Sequence, residues 1–120
     1  MLNLNWKQIN PYNRKSNLDN VTEKPGIYIL SCELKNNTYK VVYVGQTLDL
    51  QRRLKEHLRD DEKNLGIKEY LDKYCLKAVY AEVTSSNLDG VELYLYNKFD
   101  PKLNEQTPPG TTEIPVGLWY

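Results

Sequence analysis

Cysteine and histidine are scarce in this chain, which has two cysteines and one histidine among 120 residues. Cys32 and Cys75 lie far apart in the sequence, and neither has a second Cys or His at ligand spacing. A zinc site is therefore disfavoured. We expect two reduced, mostly buried thiols of the kind found in intracellular proteins.

Long apolar runs and an excess of either charge are also absent. The N-terminus has no apolar stretch of signal-peptide length, and no segment approaches membrane-spanning length. We therefore expect a cytoplasmic protein with no membrane partner. The 16 basic and 16 acidic residues cancel, so any binding to nucleic acid must come from a local patch rather than from net charge.

What the chain does contain is typical of a globular protein. Apolar residues make up 40% and charged residues 27% of the sequence, and a chain of this length can bury one core without metal or disulfide. We expect a single domain over residues 1–120. Tyrosine is abundant, with ten against one phenylalanine, and each buried hydroxyl needs a hydrogen-bond partner.

The middle of the sequence has the pattern of a β-hairpin followed by a helix. Gly26–Cys32 and Tyr39–Gly45 are rich in β-branched and aromatic residues, and the segment 35–38 between them has turn composition. Asp49 or Thr47 can cap a helix that runs to about Arg59. The hairpin and this helix form the first half of the domain.

The second half repeats strand and helix patterns. We expect a helix over Ile67–Cys75, a strand over Leu76–Val83 and a helix over Leu88–Phe99. The order β-β-α-α-β-α predicts an α/β (α+β sandwich) fold, a small three-stranded antiparallel sheet flanked by helices. We expect the core to span residues 24–104, with an irregular lead-in (1–23) and a tail (105–120) that pack against it.

Two short motifs, three later residues and a four-residue segment form a recognisable series. Gly-Ile-Tyr at 26–28 is followed by Tyr-Val-Gly at 43–45, and then by Arg53 and His57, which share a helix face. Further along come Glu92 and the segment Pro-Lys-Leu-Asn at 101–104. This series resembles the GIY-YIG nuclease superfamily over residues 24–104, with valine at position 44 where isoleucine is commoner.

The resemblance implies a metal-dependent endonuclease that hydrolyses DNA phosphodiester bonds by a one-metal mechanism. It implies Glu92 as the ligand of Mg²⁺ or Mn²⁺, because carboxylates suit hard cations. Tyr28 would be the general base, with its pKa lowered by Arg53 and the metal. Arg53 would bind phosphate oxygens. The six implied catalytic residues are Tyr28, Tyr43, Arg53, His57, Glu92 and Asn104.

Several alternatives stay open at this point. The fold could serve a non-catalytic module that binds nucleic acid or protein, or the catalytic subunit of a larger nuclease assembly. A homodimer or a separate DNA-recognition partner would compensate for the absence of a recognition domain. Taken singly, each site residue also fits a bland role: Tyr28 and Tyr43 as half-buried strand residues, and Arg53 as part of a solvated helix face.

Overall fold

The computed structural model describes residues 1–119, apart from the side chain of Asn36; Tyr120, the last residue of the expected tail, lies outside the described residues. The α+β fold is confirmed, but the sheet has four strands rather than three. The strands are β1 (Lys7–Ile9), β2 (Gly26–Glu33), β3 (Tyr39–Thr47) and β4 (Leu76–Glu82). The helices are α1 (Leu50–Glu56), α2 (Leu65–Lys73) and α3 (Leu88–Phe99).

The additional strand comes from the lead-in, so our expectation that residues 1–23 are irregular was wrong. The sheet order is β1-β4-β2-β3, and every neighbouring pair is antiparallel. β1 forms the edge beside β4, with Lys7 opposite Tyr80. A strand of three residues is too short to show an alternating pattern, and its partner lies far along the chain.

The glycines of the two motifs are needed because other atoms approach their backbone closely. Tyr28 lies directly opposite Gly45 in the β2–β3 register. A methyl group at Gly45 would overlap the Tyr28 ring, and one at Gly26 would overlap the Ala81 carbonyl and the Leu50 side chain. The hairpin motif therefore lets the Tyr28 ring lie flat across the neighbouring strand.

The ends of the helices follow their capping residues. The Asp49 side chain accepts a hydrogen bond from the Arg52 amide and begins α1, as the sequence allowed. α1 ends at Glu56 rather than near Arg59, because the chain tightens there: the Leu58 and Arg59 amides donate to carbonyls three residues back. Asn64 caps α2 through the Ile67 amide, which starts that helix two residues earlier than expected.

The sheet has a hydrophobic cluster on each face. One contains Tyr12, Leu54 and Ile67, and the other contains Ile29, Val91 and Val116. Val116 in the tail is 1% exposed, and the Ile114 amide donates to the Gly90 carbonyl. The tail around residues 114–116 thus packs against α3 and this second cluster.

Two further observations concern the expectations drawn from scarce residues. Cys32 is buried but Cys75 is exposed, so the expectation of two mostly buried thiols was wrong for Cys75. That residue lies between α2 and β4, where the chain passes over the surface. Within residues 1–119, no helix is long and apolar enough to cross a membrane.

Candidate active site

A cavity of about 320 Å³ lies beside the edge strand β3 and collects four of the six expected site residues. Tyr43 reaches it from β3, Arg53 from α1 and Glu92 from α3, and Asn104 follows α3. The sheet edge is the one place where these elements meet. Tyr28 and His57 do not line the cavity and instead pack against Tyr43.

Tyr28, Tyr43 and His57 form a compact aromatic cluster. The ring centroids of Tyr28 and Tyr43 are 6.0 Å apart, and His57 lies 5.5 Å from Tyr28 and 5.6 Å from Tyr43. Tyr28 is 1% exposed and His57 is fully buried. The Tyr28 hydroxyl is 2.7 Å from Nε2 of His57, so the two buried polar groups satisfy each other.

The other imidazole nitrogen faces a residue that the sequence motifs do not include. Nδ1 of His57 lies 2.5 Å from Oε2 of Glu62. The second oxygen of Glu62 accepts a hydrogen bond of 2.9 Å from the Asn64 amide, which holds the carboxylate in place. An ionised carboxylate can only accept, so the Nδ1 atom must carry a proton.

Burial dominates the acid–base properties of this cluster. Burial raises the pKa of Tyr28 well above its ordinary value, and the neighbouring Tyr43 raises it further, whereas Arg53 acts in the opposite sense. Arg53 thus lowers the pKa of Tyr28 as expected, but burial outweighs this effect and the net change in the pKa is upward. Burial and then Arg53 lower the pKa of His57 to about 4, against the attraction of Glu62. His57 is thus a neutral acceptor at pH 7.

Two cations, Arg53 and Lys63, line this cavity, and Arg53 is the one that we expect to contact phosphate. Its Nη1 atom lies 3.4 Å from Oε1 of Glu56, and its side chain is 36% exposed. A weak surface pair of this kind leaves the guanidinium available to a second anion. Three further basic residues on this part of the chain pair with surface acids: Arg52 with Glu56, Lys55 with Asp19 and Arg59 with Asp61.

Glu92 is a buried carboxylate on the α3 side of the cavity, and Glu62 lines the same cavity. It is 8% exposed, and the Gln46 amide nitrogen donates to it at 2.9 Å and to Asp89 at 2.7 Å. Burial raises the pKa of Glu92; the hydrogen bond from Gln46 lowers it and the charge of Asp89 raises it. Two carboxylates thus share one neutral donor, an arrangement in which negative charge is in excess.

This donor set fits Mg²⁺ or Mn²⁺ held mainly by water and a substrate phosphate. Among residues 1–119, no group of three or more His, Cys, Asp or Glu residues could enclose a metal. A zinc-like closed site is therefore not available in this part of the chain. Mg²⁺ is commonly held by only one or two carboxylates together with phosphate oxygens, and Glu92 can supply one.

Asn104 lies in the cavity wall, but its side chain is engaged with the backbone. Its Oδ1 atom accepts from the Val44 amide at 3.0 Å, and its Nδ2 atom donates to the Val44 carbonyl at 2.8 Å. The side-chain amide therefore replaces a missing strand partner at the edge of β3. This geometry fixes the segment after α3 against the sheet.

Two residues of the site were not identified from the sequence. Glu62 belongs to the acidic run at 60–62, where nothing distinguishes it from Asp60 and Asp61 before folding. Gln46 directly follows the second motif, and its position on β3 is the one signal that could have drawn attention to it. Gln46 acts through hydrogen bonds to the distant α3, and Glu62 through the geometry of the turn after α1. No local sequence pattern reports either.

Comparison with known proteins finds a matching family model and similar proteins. The family model of the GIY-YIG catalytic domain matches residues 24–104. The chain is 31% identical over 84 residues to UvrABC system protein C from Thermoanaerobacter sp. (strain X514), covering 68% of the chain. It is 28% identical over 89 residues to UvrABC system protein C from Clostridium botulinum (strain Hall), covering 72% of the chain.

A solved structure shares the fold. The GIY-YIG N-terminal endonuclease domain of UvrC from Thermotoga maritima, in a point-mutant form bound to its catalytic divalent cation, has a TM-score of 0.55 and 24% identity. The match covers 77% of this chain and 94% of that domain. By contrast, the aligned region spans only 13% and 14% of the two UvrABC system proteins.

Proposed function

The chain belongs to the GIY-YIG catalytic domain family, and from that premise we propose that it is an endonuclease that hydrolyses DNA phosphodiester bonds with Mg²⁺ or Mn²⁺. The observation that carries the proposal is the shared cavity of Tyr43, Arg53 and Glu92. Phosphodiester hydrolysis needs an acceptor for the proton of water, a cation for the phosphate charge and a metal ligand. Residues from three separate elements supply these groups in one place.

Glu92 would hold the single metal ion of this mechanism. A bound Mg²⁺ or Mn²⁺ would neutralise charge on the phosphate and polarise the reacting oxygens. Arg53 would bind phosphate oxygens by two parallel hydrogen bonds, which its partial exposure permits. Asn104 would maintain the cavity wall rather than contact the phosphate, because both ends of its amide bond to Val44.

A tyrosine would act as the general base, and burial decides which one meets the water. Tyr43 lines the cavity, whereas Tyr28 is 1% exposed and lies behind it. We therefore assign the water-facing position to Tyr43 and a supporting position to Tyr28. Tyr28 would draw on His57, whose Nε2 atom lies 2.7 Å from its hydroxyl.

Cleavage of supercoiled plasmid by the purified chain tests this function. We expect nicking in Mg²⁺ or Mn²⁺ that EDTA abolishes. The variants Glu92→Ala and Arg53→Ala should each lose about 10²-fold or more of the cleavage rate, as for other groups that stabilise transition-state charge. Arg52→Ala is the matched control, since Arg52 lies beside Arg53 on α1 and pairs only with Glu56 at the surface.

Equal cleavage by the wild type and Glu92→Ala would contradict the proposal. Binding to DNA without turnover, retained in Glu92→Ala, would instead favour a non-catalytic module. The same assay on linear, branched, single-stranded and RNA substrates would define the substrate class.

An exposed free thiol at Cys75 also fits our proposal that the protein acts in a reducing, intracellular compartment.

A separate DNA-recognition partner, or a second copy of the chain, is part of the proposal. The observation that supports it is the net charge of zero. Phosphate contacts supply most of the affinity of non-specific DNA binding, so a neutral chain gains little from them. We expect weak DNA binding by the chain alone in a gel-shift titration, and a tight intrinsic complex would argue against a partner.

A further inference from the structure

Glu62 lies at the end of a buried chain of hydrogen bonds that leads toward the cavity. The chain runs from Glu62 to Nδ1 of His57, and from Nε2 of His57 to the hydroxyl of Tyr28. Exposed fractions are small along its length: 5% for the Glu62 side chain, none for His57 and 1% for Tyr28. Tyr43, in ring contact with Tyr28 and His57, separates these two residues from the cavity, whereas Glu62 also lies in the cavity wall.

The direction of these hydrogen bonds follows from the Glu62 carboxylate at which they end. A carboxylate offers no proton, so Nδ1 of His57 is the donor to Glu62. A neutral imidazole with its proton on Nδ1 has a lone pair on Nε2, and the Tyr28 hydroxyl must then donate to it. The Tyr28 oxygen keeps its lone pairs for a proton that arrives from the side of Tyr43.

We propose, on the basis of the proposed nuclease function, that Glu62 is a positioning residue. It holds His57 in the tautomer that accepts the Tyr28 proton. Glu62, His57 and Tyr28 then form a proton relay next to Tyr43. The role of Glu62 in the relay is to orient the imidazole and to stabilise the imidazolium that forms. A histidine with a fixed tautomer accepts a proton at one defined atom.

The relay moves one proton for each bond that is cleaved. As the water oxygen bonds to phosphorus, the water proton passes to Tyr43, the Tyr43 proton to Tyr28 and the Tyr28 proton to Nε2 of His57. The phosphorus–oxygen bond to the leaving group breaks, and the leaving oxygen keeps the electron pair and takes a proton from a second water. The hydroxide so formed recovers the proton from His57 through the tyrosines, which restores the starting state.

Other charged groups surround the imidazole and must be included in any pH measurement. Arg53 and Glu56 act on it from α1. The two tyrosines approach from the hairpin strands. A second cavity of about 150 Å³ beside the ring brings in four charged residues from the turn after α1 and from α2: Arg59, Asp60, Lys68 and Asp72.

His57 is the single histidine of the chain, which permits a test that does not depend on activity. In a ¹⁵N-imidazole NMR spectrum at pH 7, we expect a neutral ring with its proton on Nδ1. In Glu62→Gln the side-chain amide can donate to Nδ1, and the proton should move to Nε2. The glutamine retains an oxygen for the Asn64 amide, which preserves the local turn.

Cleavage kinetics provide the second readout. Glu62→Gln should lower kcat by about 10–100-fold, as is typical when an outer residue that orients a histidine is removed, and should leave KM nearly unchanged. It should also move the acidic limb of the pH–rate profile. Asp61→Asn, the neighbouring residue with a side chain 73% exposed, is the matched control and should behave as the wild type.

The two readouts separate failure of the relay from failure of the nuclease function. A wild-type tautomer with its proton on Nε2, or a tautomer that Glu62→Gln leaves unchanged, would overturn the role of Glu62. Full cleavage by Glu62→Gln would overturn the relay while the nuclease function stands. The absence of metal-dependent cleavage by the wild type would refute the proposed function and, with it, the catalytic use of the relay.

Discussion

The hairpin side of the cavity and the α3 side differ in how their polar groups are paired. On the hairpin side, Tyr28, His57 and Glu62 form a chain in which each donor meets one acceptor. On the α3 side, Glu92 and Asp89 share the single amide group of Gln46. The first side is complete as folded, whereas the second carries surplus negative charge that a cation would neutralise.

This difference suits the two sides to different parts of the proposed reaction. A buried chain of complementary hydrogen bonds is suited to moving a proton without water. A pair of carboxylates with one neutral partner is suited to binding a cation. Removing a group on one side should therefore leave the property of the other side intact.

Glu92→Gln should have the largest effect on activity and little effect on stability. We expect metal-dependent cleavage to fall by about 10³-fold, because the metal ligand is lost. The substituted amide keeps an oxygen for Gln46 and avoids burying a charge, so the free energy of unfolding at pH 7 should be unchanged or higher. Urea unfolding checks this, and a loss above about 1 kcal/mol would contradict it.

Tyr28→Phe should break the hairpin side alone. We expect kcat to fall by about 10²-fold, the usual scale for a proton-transfer group, while Mn²⁺ binding is retained. The free energy of unfolding should fall by about 1 kcal/mol, because His57 loses a buried hydrogen-bond partner. Tyr80→Phe, on the neighbouring strand and opposite Tyr28 in the register, is the control; equal rates for the two variants would refute the separation.

Asn104→Ala should affect stability more than chemistry. Two hydrogen bonds to Val44 are lost at the sheet edge, and we expect about 2 kcal/mol lower free energy of unfolding. The cleavage rate should fall by less than in Tyr28→Phe. Asn97→Ala, at an exposed position of α3, should cost far less. A severe loss of activity with full stability would show that Asn104 contacts the substrate instead.

The smallest expected effect is the pH dependence of stability, where the two sides act in opposite directions. The pKa of His57 is lowered to about 4. Between about pH 6.5 and pH 4, the unfolded chain therefore binds a proton at His57 that the folded chain does not bind. Acid destabilises the fold through this residue. The pKa of Glu92 is raised by burial, so its protonation on acidification stabilises the fold. Stability should therefore fall more steeply with acid in Glu92→Gln than in the wild type; parallel curves would contradict this.

The parts of the fold that depend on local pattern could be predicted from the sequence. The hairpin from Gly26 and the helix ending at Phe99 follow from alternation and from turn and capping residues. β1 could not be predicted, because its three residues are defined by pairing with the distant β4. The end of α1 could not be predicted either, because the turn that follows Glu56 is set by backbone hydrogen bonds rather than by a capping or breaking residue.

For the site, too, features set by local sequence could be predicted and features set by folding could not. The motif residues could be identified because their spacing along the chain is fixed by the hairpin and by α1. The burial of these residues could not be predicted. Tyr28 is buried beside Tyr43, and this burial raises the pKa of Tyr28. Glu62 became visible only when folding placed its carboxylate against the His57 ring.

The claim that both sides meet at one cation-dependent cavity is tested most directly by titrating paramagnetic Mn²⁺ into ¹⁵N-labelled chain. We predict selective broadening of signals from residues that line the cavity, such as Tyr43 and Asn104, and no effect at Cys75. Glu92→Gln should abolish the broadening, and Tyr28→Phe should retain it. Broadening that is unchanged in Glu92→Gln, or that lies outside this cavity, would contradict the account.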